Sequence, residues 1–271
     1  MTQPLSPDEI AQLVEFAEGV AYADLFRFAP AELHMQVESV GSAIALVAET
    51  MDIVLFNRVI GLGLREPATE AMVDRIVARY RQAGIRNFTV QVSPTAQPAA
   101  LLGWLTARNL LRRDNWAKVY RTAEAQVLIP TDLRIERIGR ELADAFAEVA
   151  CAAFEMPDQL RPWIAQSVGQ AGWHHYLAFD GERPVATGAL FVREDAGWLG
   201  FGSTLASHRR RGAQGAIMSQ RSQDAADLGC RWLVTETGED LPDHPNPSFR
   251  NMLRIGFELA YQRPNFIFTA D

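Results

Sequence analysis

At 271 residues the chain is long enough for two modest domains, because single cores stop growing near this size and split into units of roughly 100 to 150 residues. An apolar content of 48% with 22% charged residues is that of a soluble globular protein, and no stretch approaches the roughly 20 uninterrupted apolar residues of a membrane span. A net charge of −7 argues against nucleic-acid or anionic-membrane partners, which select broad basic surfaces, and is compatible with a cationic substrate.

The amino terminus lacks the basic start and apolar run of a signal peptide, and only Cys151 and Cys230 are present, so a cytoplasmic location is expected. Ser6-Pro7-Asp8-Glu9 has the form of a capping box and predicts a helix running through Leu13 and Phe16. Two β-like runs follow at 42–47 and 53–60, the second leading into Gly61-Leu62-Gly63. Pro67 opens an amphipathic helix in which Met72, Val73, Ile76, Val77 and Tyr80 share one face, and Gly84 ends it. A strand at 85–92, a helix at 98–108 and a strand at 116–120 complete the first half.

The domain boundary is placed at 126/127, giving domains 1–126 and 127–271. Leu133 and Ile135 alternate with polar residues as in a half-exposed strand, and Leu142, Phe146, Val149 and Ala153 define a helix face. The runs 176–179 and 185–192 flank Asp180-Gly181-Glu182-Arg183-Pro184 and read as a hairpin. A third strand ends near Thr204. A basic loop from His208 to Gly215 then leads into a helix reaching about Leu228, a strand at 231–236, a helix at 248–254 and, after Gly256-Phe257, a last strand.

The halves resemble each other weakly. Gly61-Leu62-Gly63 parallels Gly200-Phe201-Gly202, and Ala83-Gly84-Ile85-Arg86 parallels Leu228-Gly229-Cys230-Arg231. Gly63 precedes Gly84 by 21 residues and Gly202 precedes Gly229 by 27, so the second half carries six more, assigned here to the basic loop. Duplication with loss of the loop in the first copy accounts for this; shared β-helix-β composition is the alternative.

Arg209-Arg210-Arg211-Gly212 ahead of helix-compatible residues is a device for gripping a diphosphate, because a helix's first turn offers unpaired N–H groups and partial positive charge. A solvated basic turn is the bland alternative. In context the region 131–271 resembles the GNAT superfamily of N-acetyltransferases. That family's pyrophosphate motif (Gln or Arg, two residues, Gly, one residue, Gly or Ala) maps onto Arg209, Gly212 and, with a departure, Gln214. Asn251 within 248–257, a helix ending in Gly256-Phe257, resembles its closing signature, but Met252 stands where the family usually has a tyrosine.

The resemblance implies a mixed α/β fold of two tandem GNAT-like domains, each a central, mostly antiparallel mixed sheet flanked by helices. The first copy would lack the pyrophosphate loop and the second would bind acyl-CoA. It further implies transfer of an acetyl group from acetyl-CoA to a primary amine of a small acceptor, without metal; a catalytically silent CoA-binding regulatory or interaction module is the alternative. Thr204 and Leu205 would meet the pantetheine arm, Arg209, Arg210, Arg211, Gly212, Ala213, Gln214, Gly215 and Ala216 the pyrophosphate, and Ser248 and Asn251 the arm again. Glu236, at a strand end, is the expected base and Tyr261 the replacement acid; a solvent-facing glutamate and a buried structural tyrosine are their alternatives. Glu155 and Asp158 fall where the family builds its acceptor pocket, with Phe154, Met156 and Trp163 as an apolar wall or simply core. His174 and His175 alternate across a strand and do not suggest zinc, and both cysteines read as small hydrophobes. A monomer is expected ahead of a homodimer.

Overall fold

The computed structural model of the chain describes residues 5–124 and 129–269. In chain order these form α1 (Pro7–Phe26), β1 (Met35–Val40), β2 (Ala43–Ala48), β3 (Arg58–Ile60), α2 (Glu70–Gln82), β4 (Asn87–Gln91), α3 (Leu101–Thr106) and β5 (Leu110–Thr122). There follow β6 (Arg134–Ile138), α4 (Ala143–Phe154), α5 (Arg161–Ser167), β7 (Trp173–Asp180), β8 (Arg183–Arg193), β9 (Ala196–Thr204), α6 (Ala213–Asp227), β10 (Trp232–Gly238), α7 (Pro247–Arg254) and β11 (Glu258–Thr269).

The sequence boundary at 126/127 lies outside the described residues. The described residues divide into two compact units that are not contiguous in sequence: the first holds 5–119 together with Glu236–Phe249 and 259–269, the second 120–124, 129–235 and Arg250–Glu258. The last strand belongs to the first unit because its hydrogen bonds go there, with Asn265 opposite Gln91 and Phe266 opposite Val90.

In the first unit the expected capping box forms: Glu9 N–H donates to Ser6 Oγ at 3.3 Å and Ser6 N–H to Glu9 Oε2 at 2.8 Å. β1 and β2 make a hairpin that the sequence reading recovered only in its second arm, since β1 is a polar, largely exposed strand. Residues 53–57 are not strand. Asn57 closes a turn there, donating to Met51 O at 2.6 Å and accepting from Ala48 N–H at 2.8 Å, which confines β3 to three residues. β3 pairs antiparallel with β2 and parallel with β4, and α2 makes the crossover. α2 begins at Glu70 rather than at Pro67, because the Thr69 side chain accepts from Met72 N–H at 3.3 Å and sets the N-cap. Its Val73, Ile76, Val77 and Tyr80 are buried in one cluster with Phe88, Val90, Phe266 and Phe268, where Tyr80 stacks on Phe88 at 4.3 Å.

In the second unit β6, β7, β8 and β9 form an antiparallel meander, and α6 crosses to β10, which pairs parallel with β9. The hairpin expected around Asp180-Gly181 is the β7–β8 turn. Each unit thus holds an antiparallel run closed by one strand–helix–parallel-strand crossover, mixed and mostly antiparallel as expected. The extra length of the second crossover is shared, because α6 has 15 residues and α2 has 13; the basic loop does not hold all of it.

Candidate functional site

The loop grows out of an irregularity in β9. Pairing with β8 runs in register from Arg193↔Ala196 to Ala189↔Gly200 and resumes at Thr187↔Ser203, with one extra residue on β9. Phe201 absorbs it in a left-handed conformation (φ 52°) between two glycines. Such a bulge turns backbone groups off the regular ladder, here at the strand end the sequence reading gave to pantetheine. Parallel pairing with β10 covers only Ala196–Trp198, so β9 continues to Thr204 beyond that partner's register.

Past Thr204 the Leu205 N–H bonds to Val185 O at 2.9 Å, and Arg209 Nε reaches Thr204 O at 3.4 Å. Arg210 (φ 66°) and Gly212 (φ 83°) are both left-handed, and Gly212 is the N-cap of α6 without any side-chain cap. The first-turn N–H groups of Ala213, Gln214 and Gly215 have no acceptor inside the helix. The first intrahelical bond is Ala216 N–H to Gly212 O at 3.0 Å. Arg209, Arg210 and Gly212 are exposed at this open helix start, whereas Ala213 and Ala216 are buried.

Arg211 is otherwise engaged. Its guanidinium spans two carboxylates, with Nε 3.1 Å from Asp132 Oδ2 and Nη1 2.7 Å from Asp180 Oδ2. Its hydrogen bonds hold both carboxyls below their usual range. His208 Nε2 also approaches Asp180 at 3.2 Å, and Thr131 Oγ donates to Arg211 O at 2.7 Å. Arg211 therefore fastens the loop. Gln214 explains its own departure from the family motif: its amide nitrogen donates to Ser203 O at 2.6 Å, Thr204 Oγ1 at 3.1 Å and Thr187 O at 3.2 Å, tying the first turn of α6 to the bulged strand. Room for it comes from Gly202, where a Cβ would fall 2.9 Å from Gln214 Oε1. Gly215 backs onto Ile129, 3.3 Å from where its Cβ would be, so packing accounts for that glycine.

The expected base and acid both lie in the first unit, in a network that sequence reading missed. Glu15 and Glu18 from α1, Arg58 from β3, Lys118 from β5 and Arg263 from β11 are fully buried, and the Glu236 side chain is 8% exposed. Three carboxylates meet three cations. Tyr261 Oη donates to Glu15 at 2.7 Å, Arg263 bridges Glu15 at 2.8 Å and Glu18, Arg58 binds Glu18 at 2.8 Å, and Lys118 joins Glu18 at 2.7 Å to Glu236 at 3.1 Å. Burial first, and then the negative charge of Glu18, push the Glu236 carboxyl up, against Lys118, Arg58 and Arg263. Burial and Glu15 push the Tyr261 phenol well up, and its proton is committed to Glu15. Arg58 also lies against the Tyr22 ring, 4.1 Å from its centroid. The available signal was Glu15 and Glu18, one turn apart on a helix whose Ala11, Val14 and Leu25 are core.

Ser248, on the part of α7 assigned to the first unit, is exposed, with its N–H on Asn246 Oδ1 at 2.9 Å. Asn251 is half-buried in the second unit, and Met252 is buried. Asn246, unremarked in the sequence, caps α7 and reaches back to Thr237 Oγ1 at 3.1 Å. Trp163 is core while Phe154 is 47% exposed, and Glu155 is the left-handed C-cap of α4. His175 is buried against Phe146 and Trp173 with its ring on Ser167 Oγ at 3.0 Å, and burial lowers its pKa to about 3. Burial pushes both cysteine thiols up. Among the described residues no group of His, Cys, Asp and Glu is placed to hold a metal ion, and no helix is long and apolar enough to cross a membrane.

No family model matches the chain, and no curated protein matches its sequence. Solved structures do match. A GCN5-related N-acetyltransferase from Kribbella flavida superposes with a TM-score of 0.66 at 17% identity, over 96% of this chain and 96% of that one. The tandem GNAT protein from the clavulanic acid biosynthesis pathway, in a structure without AcCoA, gives a TM-score of 0.62 at 15% identity over 98% and 97%. A GCN5-related N-acetyltransferase from Sphaerobacter thermophilus gives 0.58 at 15% over 97% and 92%. The chain therefore has the fold of the GCN5-related N-acetyltransferases, and shares it from end to end with a tandem protein of that kind.

Proposed function

We propose that this chain is an N-acetyltransferase that moves the acetyl group of acetyl-CoA to a primary amine of a small acceptor. The observation that carries this is the uncapped start of α6, with exposed Arg209 and Arg210 beside left-handed Gly212, pinned to the bulged end of β9 by Gln214. The N–H groups of Ala213, Gln214 and Gly215 would hold the pyrophosphate, with Arg209 and Arg210 adding charge, and the backbone of Thr204 and Leu205 would meet the pantetheine arm. Acetyl-CoA supplies an acyl group already activated as a thioester. Glu236, buried and raised in pKa, takes one proton from the ammonium form of the acceptor, so that the neutral amine attacks the thioester carbonyl. The C–S bond breaks, CoA departs as the thiolate, and the second proton lost from nitrogen as the amide forms leaves it as free CoA thiol. Tyr261 belongs to the network behind Glu236.

Isothermal titration calorimetry with acetyl-CoA tests the loop. Arg209→Asp, Arg210→Asp and Gly212→Val combined should weaken binding by about tenfold or more, roughly 1.4 kcal/mol; unchanged affinity would remove the assignment. Arg211 is left intact because it fastens the loop to Asp132 and Asp180. Buried Met252, in place of a hydroxyl-bearing tyrosine, favours a second reading in which the chain binds CoA without chemistry. A free-thiol screen over polyamines, amino acids, aminoglycosides and peptide amino termini separates the two. Substrate-dependent CoA release that vanishes in Glu236→Gln excludes the binding-only reading.

A further inference from the structure

Glu236 does not stand at the end of β10 as an isolated carboxylate. Lys118 Nζ lies between it and Glu18, 3.1 Å from Glu236 Oε2 and 2.7 Å from Glu18 Oε2, and no part of the lysine side chain reaches solvent. Glu18 is itself held by Arg58 Nη1 at 2.8 Å and by Arg263, which is anchored on Glu15. The ammonium is thus a point charge with a fixed address, set by a carboxylate that cannot move. Resting on the reading of Glu236 as the base, we propose that Lys118 and Glu18 are its positioning pair: Lys118 orients the carboxylate and keeps it ionised, and Glu18 locates Lys118 and shares its charge.

The chemistry requires both members. A buried carboxylate without a cation takes up a proton and is lost as a base, while one paired with an unshared cation gives up its basicity. Glu18 and Tyr22 from α1, Arg58 from β3, Lys118 from β5 and Arg263 from β11 are the groups that face or influence Glu236. Lys118 and Glu18 act on it with opposite sign. Removing either charge alone should therefore move the Glu236 titration, upward without Lys118 and downward without Glu18.

The test reads that carboxyl directly, by carbon-13 NMR titration of the full chain labelled at glutamate, without acetyl-CoA or acceptor. The Glu236 resonance is assigned by its loss in Glu236→Gln. Lys118→Met should raise the midpoint by about one pH unit or more, Glu18→Gln should lower it, and Lys118→Arg should restore the wild-type value. Lys118→Gln, which keeps hydrogen-bond donors without the charge, should match Lys118→Met and serves if the latter does not fold. A midpoint that stays put in the lysine variants, or moves the same way in the lysine and Glu18 variants, overturns the proposal. Opposite shifts in a chain that releases no CoA from any amine would instead sink the acetyltransferase reading and with it the pair's role in positioning a base, leaving only the charge coupling among Glu18, Lys118 and Glu236.

Discussion

The two units treat charge in opposite ways. The first hides Glu15, Glu18, Arg58, Lys118 and Arg263 completely and Glu236 nearly so, carboxylates against cations, whereas the second gives its buried arginines backbone carbonyls instead: Arg221 Nη1 donates to Ala189 O at 2.9 Å and Gly200 O at 3.0 Å, and Arg121 donates to Thr122 O at 2.9 Å and to Ile255 O. Burial lowers the Arg221 pKa to about 10. The second unit's acid–base pairing is instead near the surface, where Arg211 meets Asp132 and Asp180. Charge taken out of water must be matched in place, and removing one partner strands the other. Charge left in water is screened and can be spent on a ligand. The unit with the matched interior contains the expected base; the unit with the wet arginines contains the loop.

The largest expected effect is in the first unit. Arg263→Met leaves Glu15 and Glu18 facing each other without their shared cation and should cost about 3–5 kcal/mol of stability in urea denaturation. A cost near zero would show that the buried charges are individually dispensable. Next comes His175, which the second unit buries neutral. Its folded pKa of about 3 lies below the ordinary 6.5, so between these values the unfolded chain holds the extra proton and stability falls as pH falls. Wild type should therefore lose up to about 1.4 kcal/mol per pH unit more than His175→Gln across that window. Parallel stability–pH curves for the two proteins would contradict it. Thr69→Ala removes the side-chain cap that α2 has and α6 lacks. It should cost about 1 kcal/mol and leave acetyl-CoA affinity unchanged, whereas lost affinity would move the ligand toward the first crossover. Asp132→Asn, at the exposed Arg211 pair, should leave the urea midpoint where it is; a clear drop would mean that this pair behaves like the buried ones.

The capping box of α1, the apolar face of α2, the β7–β8 hairpin and the glycine-started helix α6 were all legible, because each depends on residues within a turn or two of one another. Periodicity failed where side chains beyond the local pattern decided the outcome. Asn57 cut a β-like run to the three residues of β3, and the polar face of β1 concealed a strand that pairs along its whole length. Gln214 departs from the motif in sequence, and only its bonds to Thr187, Ser203 and Thr204 give that departure a reason.

By itself the sequence determined the order of most elements, the repeated crossover and the exposed basic start of α6, since these follow from hydrophobic period, glycine and charge along the chain. Only tertiary structure decided that β11 completes the first unit, that Arg211 is tied to Asp132 and Asp180, and that Glu236 and Tyr261 sit in one buried network. Glu15 and Arg263 are 248 positions apart, and Lys118 and Glu18 are 100 apart. Which charges share a water-free interior is settled by strand pairing across that distance, and no local pattern carries it.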